Sequence, residues 1–167
     1  MTGAVPVDVG VGRRRRALGP RTVEVAAPRE TVFDVVARPY LGRTPRAMHG
    51  KLRVLERGSD MVLAEHYTPI VGGRLRAVTV ETVRFTRPER VDFRLVRGPV
   101  PYVTESFLLA ETAVGTELVY EGQLGTDFWR LGQRWGTAVA ERWAATVAAS
   151  LASVKAEAER RAQAGGR

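Results

Sequence analysis

Apolar residues recur at steps of three or four along the end of the chain: Phe128, Leu131, Trp135, Val139, Trp143, Val147, Leu151 and Val154. The spacing predicts one long, one-sided helix from Phe128 to about Gln163, whose apolar stripe needs a surface to cover. At its full length such a helix would be roughly 50 Å long. Its last turns, Lys155–Arg161, are charged on most sides, so it is expected to pack as far as about Val154 and then project or fray. Gly132, Gly136, Ala140, Ala144 and Ala148 form a second stripe of small residues at steps of four. Small residues let another surface approach closely, or leave room for a cavity wall.

The preceding chain supplies the partner surface. Arg21–Ala27 alternates, with Val23 and Val25 on one face and Glu24 on the other, as in a half-buried strand. Pro28 suits the first turn of a helix, where its missing N–H is unpaired anyway. Arg29–Ala37 puts Val32, Phe33 and Val36 on one helical face, and Arg38-Pro39 is expected to end it. Tyr40–Gly50 reads as a loop or a broken short helix. Six further strands follow: Lys51–Arg57, Met61–Thr68, Arg74–Phe85, Val91–Arg97, Val103–Glu111 and Thr116–Leu124. The turns between them are short, which implies an antiparallel meander. The predicted architecture is α+β, a curved seven-stranded antiparallel sheet wrapped around a long C-terminal helix, with one or two short helices after the first strand. A sheet curved around one helix encloses apolar space, and enclosed apolar space points to a bound small molecule.

Composition narrows the picture. The 167 residues are 44% apolar and 26% charged, without cysteine. This fits one globular domain and rules out both disulfides and thiolate metal sites. No apolar run reaches the roughly 18–20 residues that span a membrane. The net charge is +8, carried almost wholly by arginine. Half of that excess lies in residues 1–20 and in Arg167, and the rest of the chain carries +4. Residues 1–20 mix Gly, Pro and the run Arg13–Arg16 without periodicity and read as a disordered basic arm. Residues 21–163 form the domain, and 164–167 a disordered end. Ala17-Leu18-Gly19-Pro20 is no apolar core for a twin-arginine export signal, so the protein is expected to stay in the cytoplasm. No aromatic residues interleave with the arginine run, so nucleic acid is not the expected partner.

Strand alternation selects the polar residues that face the enclosed space. Phe107 and Leu109 inward bring Glu105; Leu118 inward brings Tyr120; Phe93 and Leu95 inward bring Arg97; Val83 and Phe85 inward bring Glu81. These four, Glu81, Arg97, Glu105 and Tyr120, are the candidate catalytic or orienting groups. A buried carboxylate is costly unless paired, and Arg97 beside Glu81 or Glu105 would relieve that cost. A slipped register would put the same residues at the rim as structural ion pairs. An unpaired, desolvated Glu81 or Glu105 would have a raised pKa and serve as a general acid. In Met61–Thr68 alternation does not decide between Leu63, Glu65, Tyr67 and Ala64, His66, Thr68. His49 and His66 are the two histidines. No metal-ligand spacing, nucleophile elbow, phosphate loop or dinucleotide fingerprint is present, so no metal or other cofactor is expected.

Three stretches carry a family likeness: the segment from Val23 to Val36 (VEVAAPRETVFDVV), Gly115-Thr116-Glu117-Leu118-Val119-Tyr120, and the closing helix. Together they resemble the START-like (SRPBCC) superfamily, which has the helix-grip fold and includes polyketide cyclases and lipid-transfer domains. The likeness spans about Arg21 to Gln163. Many cyclase-like members carry an aromatic-rich stretch after the first helix, commonly with tryptophan; here Tyr40 is its only aromatic residue. The resemblance implies a cavity for a small hydrophobic or aromatic molecule, with Phe85, Phe93, Phe107, Leu109, Tyr120, Trp135 and Val139 as the expected lining. A polyketide aromatase/cyclase-like enzyme is the second reading, and a module for a protein partner the third.

Overall fold

The computed structural model describes residues 14–42, 48–70, 74–126 and 130–165; within these, several side chains at strand ends and near the start of the last helix lie outside the description. Seven strands form one antiparallel sheet: β1 (Arg14–Val25), β2 (Leu52–Arg57), β3 (Met61–Ile70), β4 (Leu75–Thr86), β5 (Arg90–Arg97), β6 (Tyr102–Thr112) and β7 (Gly115–Thr126). Their order across the sheet is β1-β7-β6-β5-β4-β3-β2. Helix α1 (Arg29–Leu41) follows β1, and α2 (Arg130–Gly165) ends the chain. From β2 onward each strand pairs with its successor, as short turns dictate. Only β1 pairs out of sequence, with β7.

The alternation of the strands reappears as burial. Val62 and Ala64 of β3, Val83 of β4, Val91 and Phe93 of β5, Val103 and Leu109 of β6, and Leu118, Tyr120 and Leu124 of β7 are buried. Val32, Phe33, Val36, Ala37 and Tyr40 of α1 join them. Helix α2 contributes Ala140, Val147, Leu151 and Ala158 and packs on α1, β1 and β7.

The connection from β1 to α1 is pinned by β7. Thr116 is fully buried, and its hydroxyl donates to the carbonyl of Ala27 at 2.8 Å. Gly115 sits against Val25 with φ of 149°, where no Cβ would fit. Pro28 is the N-cap residue of α1 rather than its first-turn residue, and its carbonyl accepts from the N–H groups of Thr31 and Val32.

Three expectations are corrected. First, α1 does not end at Arg38-Pro39. It runs on to Leu41 with Pro39 inside it. Pro39 removes one hydrogen bond in the final turn, while continuing the helix buries Tyr40. Second, β1 starts at Arg14, so residues 14–20 are strand rather than disordered arm. Pairing with β7 holds them, and the Gly19-Pro20 break is absorbed as a bulge between Leu18 and Arg21. Third, α2 does not stop packing at Val154. Ala158 is fully buried and Ala162 packs on the core. Glu159 accepts from the N–H of Ala26 at 3.0 Å, and Lys155 donates to the carbonyl of Glu24. The charged turns are thus docked on the β1–α1 corner. The expected start of the helix at Phe128 lies outside the described residues.

Candidate functional site

Glu105 is the focus of the concave face. Its position on β6 opposite Gly122 of β7 and Phe93 of β5 turns it towards the helices. A side chain at Gly122 would collide with the backbone of Thr104 and meet both Glu105 and Tyr120, so the bare glycine leaves these two room to converge. The Tyr120 hydroxyl donates to Glu105 Oε1 at 2.6 Å. The indole N–H of Trp143, from α2, donates to the same oxygen at 2.6 Å. Glu105 is 9% exposed. Burial raises its pKa from the ordinary carboxyl value to about 7, the Glu81 charge adds to the rise, and the two donors oppose it. Near neutral pH the group is therefore poised between acid and base. Burial and the Glu105 charge push the Tyr120 hydroxyl pKa up, so it stays a donor.

A second polar chain lies two strands away, on the order of 10 Å across the sheet. His66 Nδ1 lies 3.0 Å from Glu81 Oε2, and Tyr40 Oη lies 3.0 Å from His66 Nε2. With Nδ1–H donated to the carboxylate, Nε2 is left to accept from the Tyr40 hydroxyl. Burial, then the charges of Glu81 and Glu105, raise the Tyr40 pKa and keep that hydroxyl protonated. Between the two chains the rings of Tyr40, Phe93, Phe107 and Tyr120 stack edge to face in succession, with centroids 5.4–5.7 Å apart. Phe85 touches Tyr40 at 6.3 Å.

The sequence-derived candidates are distributed as follows. Glu81, Glu105, Tyr120, Phe93 and Leu109 are buried on the concave face. Phe85, Phe107 and Val139 are half-buried against the same core. The side chain of Trp135 lies outside the described residues. Arg97 does not join the others: it is exposed. Val80 pairs with Arg97 and Glu81 with Leu95, so β5 carries one extra residue, Val96, at a bulge. A bulge resets the alternation that carried Arg97 inward on paper. Glu81 is satisfied by His66 instead. Sequence reasoning missed the contributions of His66, Tyr40 and the Trp143 N–H. The signal for His66 was the pairing of Ala64 with Glu81, which puts His66 and Glu81 on one face.

A cavity of about 220 Å³ opens beside this focus, between β1 and α2. Leu18, Gly19, Tyr120, Ala140, Trp143, Ala144 and Val147 wall it, and Arg16, Arg21 and Glu141 stand at its rim. Two members of the small-residue stripe, Ala140 and Ala144, thus border open space. A groove of about 370 Å³ on the outside, between α1, Arg87 and Arg161, is lined by Asp34 and Arg38. There Arg87 is already bound by Asp34 and Glu30. Among the described residues no cluster of metal-ligating side chains occurs, and no helix is long and apolar enough to cross a membrane.

No protein-family model matches the sequence, and no curated protein does. Solved structures do resemble it. The di-domain aromatase/cyclase StfQ from the steffimycin biosynthetic pathway superposes with a TM-score of 0.71 at 16% identity, over 91% of this chain and 53% of that one. The Zhui aromatase/cyclase from Streptomyces sp. R1128 gives 0.67 at 18% identity, over 92% and 98%. A START superfamily protein from Mycobacterium smegmatis gives 0.52 at 18% identity, over 89% and 97%. The chain spans about half the length of the di-domain protein and nearly all of the other two. Likeness at this identity shows the fold, which is the START-like helix grip.

Proposed function

We propose that this protein binds a small hydrophobic or aromatic molecule between the concave sheet face and α2, with Glu105 holding a polar atom of it. The observation that carries this reading is a carboxyl group buried among aromatic rings, with two donors on one of its oxygens. Burying a carboxyl without a cationic partner costs stability that an apolar residue would not cost. Sites that orient ligands keep such groups because a few polar atoms in an apolar pocket set the pose. With Oε1 taking both donors, the proton of the neutral acid sits on Oε2. That O–H is a donor for a carbonyl or hydroxyl oxygen. Apolar area on Leu18, Tyr120, Trp143 and Val147, which wall the cavity between β1 and α2, would supply affinity. Native mass spectrometry of the full chain, purified from a bacterial host, is expected to show a stoichiometric adduct lost on denaturation. A clean apo mass for folded protein, with no amide shift changes on adding aromatic ketones and alcohols, sinks the reading.

A second reading is acid–base catalysis of ring closure and dehydration, the kind of reaction named for the aromatase/cyclases that share the fold. The Tyr40–His66–Glu81 chain favours it, since a base and an acid then share one face. An enolisable carbon would lose its proton to the base and attack a carbonyl carbon. The resulting alkoxide would take a proton from Glu105, and water would leave in a second proton exchange. Incubation with a soluble poly-1,3-diketone, read by mass for loss of water, tests this. Turnover that is unchanged in Glu105→Gln removes Glu105 from the chemistry.

A further inference from the structure

The first strand carries two arginines on the face that should be its most apolar. Arg16 pairs with Leu124 and Leu18 with Gly122, so Arg16 and Leu18 share the concave face with buried Leu124. Strict alternation from Leu18 would turn Arg21 to the opposite face. The bulge at Gly19-Pro20 inserts one residue, and Arg21 comes to pair with Tyr120, whose side chain is buried on the concave face. Gly19 takes φ of 102°, and any side chain there would press on the backbone of Tyr120. A bulge that re-aims a side chain towards a cavity is a recurring device beside binding sites.

Both arginines stand at the rim of the 220 Å³ cavity, over walls made by Leu18, Tyr120, Trp143, Ala144 and Val147. Among the described residues neither arginine has an ion-pair partner, and the rim holds a single opposing charge, Glu141. The polar atoms of Tyr120 and Trp143 are both spent on Glu105, so these two side chains offer the cavity their rings. The space exceeds the about 150 Å³ that admits a benzene molecule, so one ring with a short substituent fits.

Resting on the reading that the concave face holds a ligand, we infer that this cavity selects a hydrophobic organic anion, a one-ring carboxylate with its ring against Tyr120 and Trp143 and its charge between Arg16 and Arg21. Guanidinium groups suit this task because their planar fork matches a carboxylate with two parallel hydrogen bonds.

The test compares 4-ethylbenzoate with 4-ethylbenzyl alcohol on the full chain by titration calorimetry. The acid is expected to bind roughly tenfold tighter than the alcohol at low salt, and its advantage to shrink as salt rises. R16Q/R21Q is expected to erase the advantage while leaving alcohol binding within about twofold, and E141Q to enlarge it. Ala144→Leu, which fills the cavity, should abolish binding of both, with folding checked by circular dichroism. Equal affinity for acid and alcohol, or a preference that survives R16Q/R21Q, overturns the anion assignment and leaves ligand binding standing. If neither molecule binds the folded wild-type chain, the inference is overturned, and the broader ligand-binding reading stands or falls separately on the native mass measurement.

Discussion

Trp143 of α2 donates its indole N–H to Glu105 of β6 at 2.6 Å, so the terminal helix is tied to the sheet through a buried carboxyl group. The same oxygen takes the Tyr120 hydroxyl. Helix position and the ionisation of Glu105 are therefore linked: whatever alters one donor alters the electrostatics of the concave face.

That linkage makes stability pH-dependent. The Glu105 pKa is about 7 in the folded protein, raised by burial above its ordinary carboxyl value. Between that ordinary value and 7 the folded state holds a proton that the unfolded state has released. Stability contributed by the neutral acid is complete below the unfolded pKa and lost as pH rises through 7. The ceiling of the effect is about 3 kcal/mol. Thermal melts from pH 4 to 8 should show wild type losing stability relative to Glu105→Gln across that window. Parallel curves for the two proteins would show that Glu105 does not titrate as described.

Removing one donor should move the same group. Tyr120→Phe keeps the ring and its edge-to-face contact with Phe107 but deletes the hydroxyl, one of the two donors that hold the Glu105 pKa down. The carboxyl pKa is expected to rise further, and stability above pH 7 to fall by about 1–3 kcal/mol. Carbon-13 detection of the Glu105 carboxyl through a pH titration measures the first, and urea denaturation at pH 8 the second. An unmoved titration midpoint would mean that the hydroxyl does not serve the carboxylate.

The second polar chain predicts a different loss. Glu81 is 5% exposed, and its described partner is His66. His66→Ala leaves that carboxylate without its partner and should cost about 3 kcal/mol. Glu81→Gln should cost less, and the two changes together less than their sum, as expected of groups in direct contact. Denaturant midpoints for the four proteins of the cycle check this; additivity within about 0.5 kcal/mol would show no coupling.

The legible and illegible parts of this chain divide along physical lines. Alternation located Glu81, Glu105 and Tyr120, because an unbroken strand fixes the parity of every residue in it. Arg97 went to the face opposite the one that alternation gives because it follows a bulge, and one inserted residue inverts parity. The Gly19-Pro20 pair looked like the end of a disordered arm, though it is the bulge itself. His66 was ambiguous because both faces of β3 alternate apolar and polar residues; only the pairing of Ala64 with Glu81 decides between them. Trp143 was assigned to an apolar stripe, and nothing in a period of 3.6 reveals where an indole N–H will find an acceptor. Tyr40 lay beyond a proline expected to end α1.

Backbone geometry supplies another prediction. Gly115 adopts φ of 149° against the backbone of Val25, Ala26 and Ala27. Gly115→Ala should therefore destabilise by more than about 2 kcal/mol, through both conformation and collision. Gly50 also has a positive φ but faces open space. Gly50→Ala should cost less, about 1 kcal/mol, through conformation alone. Comparing the two melting temperatures separates collision from conformation; equal losses would contradict the close approach at Gly115.

The pairing of β1 with β7 also bears on how the chain reaches this structure. Each of β3 to β7 can zip onto its predecessor as soon as both exist, but β1 has its ladder partner only when β7 is complete. Such non-local closure is the slow kind. Until it happens, Thr116 cannot bond to Ala27, α2 has no corner to dock on, and the concave face is exposed to water. Assembly of the site is therefore a late event in folding, and a chain halted before β7 holds a partial sheet with an open edge and an uncovered apolar face, the form most exposed to aggregation.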